Sequence, residues 1–196
     1  VAQLQAKKHY PLLFWLVILA TSTAGTTMSD FMDRTLELGY ATGSLLLATL
    51  LCIVLVLWKW SQKTLAVNEV RSTTAEMFYW AAILVSNTLG TAVGDYLADS
   101  SGLGFSGGAL LIASIIAVLA LMNWFTSFSK VGLFWMAFVL TRPLGATLGD
   151  WMTKPISHGG MSLGTQGSSL VLLVALLVPV VYMSLKDRDQ KLSTND

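Results

Sequence analysis

One nineteen-residue segment occurs three times in this chain, in gapless alignment. The copies read "FWLVILATSTAGTTMSDFM" from Phe14, "YWAAILVSNTLGTAVGDYL" from Tyr79 and "FWMAFVLTRPLGATLGDWM" from Phe134. Each opens on an aromatic residue followed by tryptophan: Trp15, Trp80 and Trp135. A hydroxyl stands six residues further on (Thr21, Ser86, Thr141), then a glycine (Gly25, Gly90, Gly145), then an aspartate (Asp30, Asp95, Asp150). A second element also recurs, beginning "LGYATGS", "LGFSGGA" and "LGTQGSS". A chain duplicated in this way is restricted to architectures that build one two-element unit three times. The units are expected at 12–60, 77–126 and 132–186.

The solvent for those units follows from hydropathy. Of the 196 residues, 54% are hydrophobic and 12% charged, against about 25% charged in soluble domains. Six stretches approach the ~20 apolar residues that a spanning helix needs: 12–30, 40–58, 78–96, 106–124, 132–150 and 166–184. The fold class expected is therefore an all-α membrane protein of six transmembrane helices, arranged as three two-helix repeats in contact with the lipid bilayer. Two spans per unit return the chain to its starting side, so successive units enter in the same direction and the repeats are parallel.

Basic residues set the orientation. Lys7, Lys8, Lys59, Lys63, Arg71, Lys130, Lys186, Arg188 and Lys191 fall on one side; Arg34 and Lys154 fall on the other. Both termini are then cytoplasmic by the positive-inside rule. Asp30, Asp33, Glu37, Asp95, Asp99 and Asp150 gather toward the opposite face.

The repeated pattern, carried by Trp15, Trp80 and Trp135, resembles a bacterial family of uncharacterised membrane-anchored proteins. Those proteins are built from tandem repeats of unknown function, each with two spans and a tryptophan. The resemblance covers nearly the whole chain and implies a bacterial inner-membrane location. The family usually has four repeats, eight helices in all. Residues 1–11 are similar to the tails of second spans, and a preceding repeat is expected on that ground. The resemblance implies no activity.

Function has to come from the residues. Positions three, four and seven before an aspartate share its helix face. Thr26 and Thr27 lead to Asp30, Thr91 to Asp95 and Thr147 to Asp150. Hydroxyl stripes ending in carboxylates belong against other helices or a wet cavity rather than acyl chains. Asp and Thr oxygens suit protons or hard divalent metals, so the three aspartates are candidate cation ligands and the threonines line the path. The expectation is a transporter or channel for a small cation. The rival is a membrane scaffold in which Gly25, Gly90 and Gly145 serve helix packing, Trp15, Trp80 and Trp135 anchor at interfaces, and the aspartates cap the following segment.

Arg142 stands seven residues after its tryptophan, where the other copies have Ser22 and Asn87. A charge at that depth needs a counter-charge or carbonyls. It is read as an internal counter-ion, with Asp30 and Asp95 as its expected partners. Pro143 beside it removes a backbone hydrogen bond. His9 and His158 fall outside the spans, and Cys52 sits in an apolar run. The sequence has no phosphate-binding, dinucleotide or metalloprotease motif and no basic run for nucleic acid. Neither an enzyme nor a cofactor is indicated. A homo-oligomer is left open.

Overall fold

The computed structural model describes residues 11–67, 70, 72–175 and 177–178. They are all-α. Helices α1 (Pro11–Asp30), α2 (Tyr40–Gln62), α3 (Thr73–Asp95), α4 (Gly104–Phe125) and α5 (Lys130–Thr153) follow in order, with a shorter apolar helix, α6, over Gly164–Ala175. Among the described residues, α2, α3 with the turn that extends it to Ser100, α4 and α5 are long and apolar enough to cross a membrane. The chain is thus a polytopic membrane protein with four candidate spans. The expected first span corresponds to α1, which has 20 residues. The expected sixth runs partly outside the described residues, as does the 1–11 segment apart from Pro11.

Helix boundaries have local causes. Ser72 caps α3 by accepting from the Ala75 amide at 3.0 Å. The repeated "LG" that introduces each second helix has a backbone reason. Gly39, Gly104 and Gly164 adopt φ of 73°, 66° and 65°, a left-handed conformation that costs glycine nothing. A feature with no sequence signature follows Asp30 and Asp95. There the helix widens into single π turns, Phe31–Thr35 and Tyr96–Ser100, closed by Leu36 N–H to Phe31 O (3.0 Å) and Ser101 N–H to Tyr96 O (2.9 Å). In the third copy α5 instead continues as α-helix to Thr153.

The described residues form two compact units dividing between Leu148 and Gly149, inside α5. In the first unit α3 is central. Half of its apolar window is buried by protein, against 22% for α2, α4 and α5. Leu47, Leu51 and Trp58 of α2 pack with Ala82, Leu89 and Ala92 of α3 and with Trp135 of α5. The Trp58 and Trp135 rings meet edge to face at 5.5 Å, and Trp135 Nε1 donates to the Leu65 carbonyl at 3.0 Å. The outer faces of α2 and α4 are apolar and exposed, as at Leu45 and Leu110, which suits lipid. In the second unit a short loop folds back on the end of α5: Met161, Ser162 and Leu163 donate to the carbonyls of Trp151, Lys154 and Met152.

Candidate functional site

Three glycines, Gly25, Gly90 and Gly94, let the motif helices of successive copies approach closely. A Cβ on Gly25 would meet Asn87 Cβ at 2.6 Å; one on Gly90 would collide with Arg142 Cβ, and one on Gly94 would meet Ala146 Cβ at 2.8 Å. Gly90 and Gly94 face Arg142 and Ala146 in the same order, so α3 and α5 run parallel. The pairs Phe14–Trp80, with centroids 5.8 Å apart, and Thr26–Thr91, with hydroxyls 3.4 Å apart, fix the same sense for α1 and α3. Gly145, the third of the set, has nothing within 4 Å of its notional Cβ.

Close approach at the glycines opens a cavity of ≈260 Å³ among the three helices. It is lined by Ser22 and Thr26 of α1, Asn87 and Thr91 of α3, and Thr141, Arg142, Gly145 and Ala146 of α5. The lining is built from equivalent positions. Ser22, Asn87 and Arg142 align between copies, and so do Thr26, Thr91 and Ala146. Arg142 lies twelve residues into α5, ~18 Å along it, near the middle of a ~30 Å hydrocarbon layer. The expected polar stripe at mid-depth is thus turned toward neighbouring helices.

The polar groups at the cavity are unevenly satisfied. Thr26 donates to Ser22 O (3.2 Å), Thr91 to Asn87 O (3.4 Å) and Thr141 to Phe138 O (2.6 Å). Asn87 is 5% exposed, yet neither its Nδ2 nor its Oδ1 has a partner, and Arg142 Nε is buried in the same condition. The Arg142 guanidinium lies over the Phe138 ring at 5.0 Å.

Beyond the cavity, the aspartates have different surroundings. Asp30 makes an ion pair with Arg34 at 3.4 Å, with both side chains largely in the open. That contact occupies one of the two acids expected to serve Arg142. Asp30 foremost, then Tyr40 and more weakly Asp95, holds the Arg34 guanidinium still more firmly protonated. Asp95 therefore lies within electrostatic reach of Arg34. Neither Asp30 nor Asp95 caps the turn that follows it. Asp150 belongs to the second unit and is partly buried in the last turns of α5. Among the described residues no three His, Cys, Asp or Glu side chains assemble as a metal site.

The remaining expected site residues are placed individually. Thr27 is exposed and donates to Thr23 O at 2.9 Å. Thr147 is fully buried and donates to Pro143 O at 2.9 Å. The three tryptophans differ: Trp15 is 61% exposed and Trp135 is 4% exposed, while Trp80 donates to Glu76 at 3.3 Å.

Asp33 was singled out by no spacing argument, yet it is the buried acid of this end. Its Oδ2 accepts from Ser29 at 3.3 Å, its Oδ1 has no partner, and it fills the space that a side chain on Gly43 would occupy. Burial raises its pKa above the usual carboxylate value; Ser29 opposes the shift and neighbouring Asp30 adds to it. The available signal was "SDFMD": Ser29 and Asp33 are four apart and share a helix face.

Six helices among the described residues, close helix contacts at small residues and apolar outward faces define a polytopic membrane protein built from tandem repeats. Its segments 13–64, 78–128 and 133–189 match the model of the Repeat of Unknown Function (DUF347) family. The chain belongs to that family. No curated protein and no solved structure matches it.

Proposed function

We propose that this chain is a transporter or channel for a small cation in the bacterial inner membrane, both termini being cytoplasmic. The carrying observation is the ≈260 Å³ cavity, whose lining comes from equivalent positions of all three copies. Polar surface between spanning helices is costly unless it serves a solute or water. The pathway follows Thr26 and Thr91 toward Asp30 and Asp95 at the acidic end, and Arg142 acts as the internal counter-ion that competes with the moving cation. With no three-carboxylate group among the described residues, the proton is the cation best supported, ahead of a caged divalent metal. Asp33, buried and shifted toward its neutral form, is a carboxyl suited to exchange protons there.

The scaffold reading is favoured by one observation, the close glycine contacts of Gly25 and Gly90. Flux separates the two. Purified chain in proteoliposomes, loaded with a pH-sensitive dye, is expected to dissipate an imposed pH gradient. Asp95→Asn should lower that rate at least tenfold while leaving the elution profile in detergent unchanged. Wild-type vesicles no leakier than empty ones, to protons and to Mg²⁺ or Mn²⁺ alike, would leave the scaffold standing.

A further inference from the structure

We infer that the cavity between α1, α3 and α5 is a binding site for a small carboxylate anion bearing a hydroxyl or amino group. The inference goes beyond the transport reading, because binding at Arg142 does not require that a cation move.

Charge comes first. Arg142 supplies the single formal charge of the lining, and no acid is among the lining residues. Its guanidinium faces an aromatic ring, and its Nε–H is buried without an acceptor. A buried guanidinium at this depth favours an anionic guest.

Donors and acceptors narrow the class. Thr141 donates to a carbonyl of its own helix, and Thr26 and Thr91 divide their protons between such carbonyls and each other. The donors that remain for a guest include the guanidinium fork and the Asn87 amide. A fork with a neighbouring N–H matches a planar carboxylate, which accepts two parallel bonds. The Asn87 Oδ1, equally unpartnered and buried, asks for a donor on the guest, as a hydroxyl or ammonium beside the carboxylate would provide. A buried carboxamide with neither end satisfied is otherwise expensive. The volume, ≈260 Å³, is that of about nine waters at ~30 Å³ each, room for a small carboxylate.

The test is calorimetric titration of the full chain in phosphatidylcholine nanodiscs with sodium lactate, acetate or chloride at fixed ionic strength. Lactate is expected to bind saturably, one per chain, more tightly than acetate, and acetate more tightly than chloride. Arg142→Gln should weaken lactate at least tenfold, with Arg142→Lys in between because it keeps charge but loses the fork. Asn87→Ala should erase the preference for lactate over acetate, and it decides the matter if the arginine variants do not fold. The proposal is overturned if folded wild type shows no saturable carboxylate binding. It is equally overturned if chloride competes as well as lactate, or if both the arginine and asparagine variants bind as wild type does. Lactate binding without any proton flux would sink the transport reading and leave this one intact.

Discussion

The middle and the outer end of the motif helices obey different rules although both repeat in sequence. At mid-depth, equivalent residues of the three copies converge on one cavity. Eight residues further on, the aspartates have unlike surroundings: Asp30 pairs with Arg34, Asp95 acts on the same guanidinium and Asp150 is partly buried in the last turns of α5. Repetition alone therefore does not give equivalent side chains equivalent partners. Convergence follows where Gly25 and Gly90 remove the side chain between backbones, and after Asp30 and Asp95 the helix widens into π turns that α5 lacks.

That contrast can be broken most forcefully at the glycines. Gly90→Ala places a methyl against Arg142 Cβ and should destabilise the fold by ~1–3 kcal/mol, the usual cost of overpacking. Gly145→Ala meets open space and should stabilise α5 by up to ~1 kcal/mol through helix propensity. Thermal melts in one detergent would compare them, and equal effects would end the claim that the glycines set the convergence. Next in size is Asp33→Asn. Because burial raises the folded-state pKa of Asp33 above its unfolded value, the folded state holds the extra proton between the two, and stability falls as pH rises through that window. The variant should melt higher than wild type near neutrality, the gap closing below the unfolded carboxylate pKa of ~3.9. A gap that widens on acidification would contradict the assignment. Smallest is Asp30→Asn, which removes an exposed pair worth ~0.2–1 kcal/mol; its effect should fade in high salt.

The fold was largely legible beforehand. The triplication, the span positions and the polarity shared by Ser22, Asn87 and Arg142 are all explicit in the residues, because helical period and repeat phase fix which positions share a depth and a face. What was not legible depends on local backbone geometry. No residue pattern announces a π turn, and that turn separates Asp30, partly open beside Arg34, from Asp33, buried beside Ser29 and Gly43. Charge balance within the chain points to an acid as the partner of Arg142. The structure places Phe138 under the guanidinium, an i,i+4 neighbour that spacing alone would have allowed.

Hydropathy within each repeat has a bearing on biosynthesis. Helices α2 and α4 are markedly more apolar than α3 and α5. The greasier helices can leave the translocon for lipid unaided, whereas α5 must bring a guanidinium with it. The close contact of Arg142 with Gly90 gives the face of α5 that carries this charge a protein surface, on α3, in place of lipid.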